Sequence, residues 1–248
     1  MASKTESGHA VNVANFNELI SYVTGYNTAY NPSNTALALT ALQTIATNAG
    51  NSIDAVYSSI PAYSLAVNQR EEVFAPLSKL VTRVMNFLRA SGVSQQVYDS
   101  VNTVARKIKG ARASAKITTP APDPNNPETP EVRQVSASQI SYDMREENFE
   151  KLIQMLAAIP QYAPNEEELT TTSLSALCNQ LSDSNAAVIA AEVPLSNARI
   201  ARNQVLYAAT TGLCDIAQSV KMYIKAVFGA TSAQYRQISK LKFTKAKL

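Results

Sequence analysis

The stretch NFNELI at residues 15–20 returns as NFEKLI at residues 148–153, and residues downstream of the first occurrence recur downstream of the second in the same order. Tyr30 and Pro32 correspond to Tyr162 and Pro164, Leu37 and Leu42 to Leu169 and Leu174, and Arg70 and Val73 to Arg202 and Val205. After a gain of about five residues in the second copy, Gly92, Ser94, Tyr98 and Val101 correspond to Gly229, Thr231, Tyr235 and Ile238. Internal self-similarity constrains architecture before any other pattern does. The chain reads as a tandem duplication.

Each copy carries the spacing of helices. Val13, Phe16, Leu19, Ile20 and Val23 fall on one helical face, with Gly25 as its stop. Ser33 is placed to cap the next helix, and Asn165, followed by Glu166, Glu167 and Glu168, is placed to do so in the second copy. Leu42, Ile45, Ala49, Ile53, Val56 and Ile60 then step by three or four, as do Leu174, Leu177, Leu181 and Val188. Pro61 and Pro194 follow, where a missing amide and a ring clash are expected to break or kink the helix. A third helix of about 30 residues is expected from Val73, Leu77, Leu80, Val84 and Phe87, and from Leu206, Ala209, Leu213, Ile216, Val220 and Tyr223. Gly92 and Gly229 end it, and Thr231 with Gln234 forms a capping box for the last helix.

The expected fold is all-α: two tandem copies of a long-helix hairpin with short end helices, packed as an elongated, four-helix-bundle-like rod. Residues 1–11 read as a flexible N-terminus, 12–110 as the first helical repeat and 139–248 as the second, with a basic C-terminal end. Between them, 111–138 reads as a linker, because Pro120, Pro122, Pro124, Pro127 and Pro130 alternate with polar residues and deny it a helix. The same prolines offer a docking peptide for an aromatic groove, a weaker reading without a basic residue to orient it.

Composition removes most chemistry. Among 248 residues there are one histidine, two cysteines and no tryptophan. His9 lies in the polar opening segment, away from any Ser-His-Asp or Cys-His pattern. Cys178 and Cys214 are too few for a zinc site and read as buried free thiols. Asp143, Glu146, Glu147 and Glu150 gather at one helix start but lack the Glu-x-x-His partner of di-iron bundles, so they read as support for the helix N-terminus. No phosphate-binding glycine motif occurs. The chain reads as non-enzymatic, with no catalytic residue, cofactor or metal. It has no signal peptide and no apolar run long enough to span a membrane, which reads as cytoplasmic, with export by a non-classical route as the alternative.

Charge is uneven. The net +3 arises from 22 basic and 19 acidic residues. Arg106, Lys107, Lys109, Arg112 and Lys116 close the first copy, and Arg236, Lys240, Lys242, Lys245 and Lys247 close the second. Setting those ten aside leaves 12 basic residues against the 19 acidic ones. Lys107, Lys109, Arg112, Lys240, Lys242 and Lys245 are therefore the candidate contacts, either for a polyanion or for the acidic body of a neighbouring molecule.

The segment from Gly8 to Asn15, with Phe16, Leu19 and Ile20, and the Tyr30-Asn31-Pro32-Ser33 turn followed by Leu39 to Leu42, resembles a family of uncharacterised all-helical proteins from Bacteroidota bacteria. The resemblance implies a bacterial origin and carries no activity or functional residue. Taken together, these features lead to the expectation of a structural or protein-interaction protein that self-assembles through long amphipathic helices, as a homo-oligomer or with another protein. The first alternative is a nucleic-acid or polyanion binder using the two basic runs. The weaker one is a helical membrane-active or pore-forming protein, whose best stretch, Ala186 to Leu195, is short and interrupted by Glu192 and Pro194.

Overall fold

The computed structural model describes residues 7–110 and 141–245. The linker at 111–138 and the candidate Arg112 lie outside the described residues. The fold is all-α: the described residues form eight α-helices joined by turns and short 3-10 segments, with no strand among them. The first half supplies α1 (Ser7–Gly25), α2 (Leu39–Phe74), α3 (Leu77–Ala90) and α4 (Gln95–Ile108). The second supplies α5 (Tyr142–Ala157), α6 (Thr171–Tyr207), α7 (Leu213–Phe228) and α8 (Ala233–Ser239).

Several local expectations are corrected. The first helix begins at Ser7, so residues 7–11 are helix rather than flexible chain, with His9 buried among them, while residues 1–6 lie outside the described residues. Pro61 and Pro194 sit inside α2 and α6 without ending either helix. Both prolines are exposed, so the carbonyl that each leaves unbonded faces water, and the solvent side is where a helix tolerates a lengthened bond. The break comes later, at Ala75–Pro76 in the first half and at 208–212 in the second. Pro76 suits that place because the residue before a proline is pushed out of helical geometry and a proline needs no partner at a helix start. The third helices therefore hold 14 and 16 residues, not about 30. Relative to the first half, the second is longer by one residue in α6, three in the break and two in α7.

The caps sit one residue beyond their expected places. The Asn34 side chain, not that of Ser33, accepts from the Ala36 amide, and in the second half Glu166 takes the cap position with no side-chain bond. Ser232, not Thr231, caps α8 by accepting from the Tyr235 amide. Ser94 and Ser141 do the same for α4 and α5. Gly92 and Gly229 have φ of +79° and +88°, a region that favours glycine, and end α3 and α7 as expected.

Two compact units result, and they are not the two halves. The first comprises residues 1–64 and 190–248, the second residues 65–189. The first unit's core joins Phe16 and Leu19 of α1 and Leu42 and Ala49 of α2 to Leu213, Val220 and Ile224 of α7 and Ile238 of α8. In the second unit, Leu77, Val84 and Leu88 of α3 and Val101 and Ile108 of α4 meet Phe149 and Leu152 of α5 and Leu174 and Leu181 of α6. Each unit thus takes the opening elements of one half and the closing elements of the other.

The two units repeat one another's details. In the first, the Tyr30 hydroxyl donates to the Leu37 carbonyl at 2.7 Å, and in the second the Tyr162 hydroxyl donates to the Leu169 carbonyl at 2.7 Å. Tyr30 meets Tyr223 edge-on with ring centres 5.3 Å apart, and Tyr162 meets Phe87 edge-on at 5.3 Å. Lys225 lies over the Tyr235 ring as Arg89 lies over that of Tyr98. His9 packs on Tyr207 where the other unit sets Tyr142 on Phe74.

Candidate functional site

The most elaborate polar recognition in the first unit surrounds the segment Leu241–Lys245, which comes after α8 without helix or strand of its own. Asn12 lies on the buried face of α1 and is 2 % exposed, where an unpaired amide is costly. Its Nδ2 donates to the Thr244 carbonyl at 2.8 Å, and its Oδ1 accepts from the Thr244 amide at 3.0 Å. One turn on, Asn15 Nδ2 donates to the Lys242 carbonyl at 2.7 Å. From the other side, Lys221 of α7 donates to the Leu241 carbonyl. Every one of these bonds engages backbone, so they hold the segment's path irrespective of its side chains.

The side chains add register. Leu241 is 7 % exposed and belongs to the first unit's core. Phe243 stands edge-on to Phe16 with ring centres 6.4 Å apart, and the Lys221 ammonium is 5.3 Å from the Phe243 ring centre. Lys245 Nζ is 2.7 Å from Asp215 Oδ1. Asp215 also accepts, through Oδ2, from the Thr210 amide at 3.0 Å. Thr210 has φ of +68°, a strained setting for a β-branched residue, so this bond steadies the turn into α7. In that turn Gly212 is required by space, since a Cβ there would come within 2.6 Å of the Ala208 amide nitrogen. Lys245 first, and then the Thr210 amide, hold the Asp215 carboxyl below its usual range. Burial lowers the Lys221 ammonium from its ordinary value.

The other candidate cations are spread over both units. Lys107 lies in the last turn of α4 and Lys109 caps it, both exposed and both in the second unit. Arg106 and Lys107 complement the negative end of that helix. Lys240 and Lys242 are exposed in the first unit, Lys240 at the end of α8 and Lys242 within the Leu241–Lys245 segment. The acidic start of α5 has two different roles. Glu147 pairs with Lys151, which holds its carboxyl below the usual range with Lys107 as a minor contributor. Glu146 accepts from the Asn185 amide and, with Glu150, Gln154, Ser175 and Cys178, lines an open cleft of about 390 Å³.

Nucleophilic chemistry is poorly served. Burial first, then the Glu150 and Glu146 charges, push the Cys178 thiol up to about 11, and burial pushes Cys214 up to about 11. A thiol held protonated is a weak nucleophile and a weak metal ligand. His9, 7 % exposed, has Nδ1 2.7 Å from the Tyr207 hydroxyl oxygen. Among the described residues, no three His, Cys, Asp or Glu side chains gather to hold a metal ion, and no helix is long and apolar enough to cross a membrane.

Sequence reasoning singled out Lys242 and Lys245 but not the groups that receive their segment. Asn12, Asp215 and Lys221 were missed, and the available signal was slight: asparagines at 12 and 15 flanking the apolar face of α1. No protein-family model matches the chain, and no curated protein or solved structure matches it. Fold and site together describe an all-helical protein in which Asn12, Asn15 and Lys221 hold the backbone of the chain's own Leu241–Lys245 segment.

Proposed function

We propose that this chain is a non-catalytic structural or protein-interaction protein that acts by self-association. The observation that carries this reading is the composition of the two compact units. Each core is completed by elements from the other half of the chain. Surfaces that complement one another within a molecule complement the same surfaces on a second copy, and exchange of identical elements is a low-cost route to assembly. The matching tyrosine bonds and aromatic pairs support descent of the two halves from one duplicated ancestor, a single-copy form of which would have assembled in the same way as a dimer.

Light scattering at two salt concentrations tests the reading. Particles larger than the 26.7 kDa chain are expected, shrinking as salt rises where exposed charge pairs take part. A monomer at every concentration and salt would overturn it. Binding to a polyanion is the second reading, favoured by the exposure of Lys107, Lys109, Lys240 and Lys242. Its signature is retention on duplex DNA that falls steeply with salt.

A further inference from the structure

We propose that the groove between α1 and α7 is a docking site for the Leu241–Lys245 segment of a second copy of this chain, which replaces the molecule's own segment there. This rests on the self-association reading and names the surface and the partner that it would use. Three observations lead to it. Asn12 answers both the amide and the carbonyl of Thr244, so the groove holds this stretch by its backbone, and such a contact accepts the same segment from any molecule. The ends of the contact are selective: Leu241 is buried, and Lys245 meets the carboxylate of Asp215. The segment leaves α8 at Lys240 with no helix or strand of its own, so withdrawing it removes few elements of the first unit's core. In the swapped arrangement every contact made within one molecule is remade between two, and the net difference is the linkage entropy set by effective concentration.

Charge reversal in the full chain tests this. Asp215→Lys sets two cations against each other within one molecule, and Lys245→Glu sets two anions. In an equal mixture each groove finds its opposite charge only on the other variant. Sedimentation equilibrium should show the mixture associating at least tenfold more tightly than either variant alone. A mixture that behaves as the sum of its parts would overturn the proposal.

Because Asp215 also holds the Thr210 turn, its replacement risks the fold, so a second measurement leaves it untouched. A fluorescent synthetic peptide of residues 240–245, KLKFTK, is titrated into the full-length Lys245→Glu variant and followed by anisotropy. Saturable binding is expected, several-fold tighter than to the wild-type chain, whose own segment competes. It should weaken when the peptide carries Glu in place of its last Lys. Absence of binding refutes the docking site. If the wild-type chain nevertheless forms large particles, self-association stands and uses another surface, whereas a wild-type monomer under all conditions removes the underlying reading itself.

Discussion

His9 and Tyr207, 198 residues apart in sequence, meet through a 2.7 Å contact between Nδ1 and the phenol oxygen. The same hydroxyl lies 3.3 Å from the Asn12 amide nitrogen, so one phenol serves two buried polar groups. Tyr207→Phe keeps the ring against the imidazole and removes only the oxygen. Leaving buried groups short of a partner costs about 1–3 kcal/mol, which should appear as a Tm lowered by several degrees. An unchanged Tm would show that this contact contributes nothing to stability.

Tyr30 and Tyr162 make equivalent bonds and should lose equivalent stability. Replacing either by Phe should cost about 1 kcal/mol, and the double variant should show the sum, because the two lie in different units and share no partner. Their phenols are also alkaline sensors. Burial is the main cause that raises both from 10.0 to about 12, with the Tyr223 charge adding at Tyr30. A group whose pKa is raised on folding contributes stability that is complete below the unfolded value and is lost as pH climbs through the folded one. Chemical denaturation should therefore show stability falling between pH 10 and 12, with a shallower fall in the double Phe variant. Equal slopes for wild type and variant would show that other groups govern alkaline unfolding.

The helices themselves are legible in the sequence. Leu42, Ala49 and Val56, the steps of one apolar face, are all fully buried, and so are Leu174 and Leu181 in the second half. The exchange between halves is not legible, for a specific reason. Leu77, Val84 and Leu88 carry nearly the same apolar period as Leu213, Val220 and Ile224, so periodicity gives the first part of α2 no ground for choosing α7 over α3. Pro61 is a comparable case: whether a proline breaks a helix depends on which side faces water, and that is a tertiary property. At the groove, charge flags Lys242 and Lys245, but Asn12 and Thr244 stand 232 residues apart, and no local pattern announces that bond.

Exchange of elements has a mechanical consequence. With a protease site inserted between Asn125 and Asn126, cleavage should yield two fragments that co-elute in size-exclusion chromatography without denaturant. The first would carry Phe16, Leu42 and Leu77, the second Phe149, Leu174 and Leu213, and each core needs residues from both. Separately expressed, neither fragment would hold a complete core, and each should be largely unfolded or aggregated until mixed. Two fragments that separate under native conditions and melt independently would contradict the exchanged cores.

The basic runs decide between the two functional readings. Replacing Lys107, Lys109, Arg112, Lys240, Lys242 and Lys245 together by Gln removes six charges and leaves the helices' apolar faces intact. If these side chains neutralise phosphates, each contact releases counterions, so the logarithm of affinity for duplex DNA falls with the logarithm of salt at a slope of about 0.9 per contact. The wild-type chain would then bind DNA steeply with salt, and the Gln variant would not bind. If they serve assembly, the wild type retains DNA weakly and without sequence preference, and the substitutions change particle size instead. The second outcome is expected. Lys245 already faces a carboxylate of α7, and an acidic body with basic runs is complementary to further copies of itself. Tight, salt-sensitive DNA binding by a wild-type monomer, abolished in the Gln variant without any change of size, would reverse that conclusion.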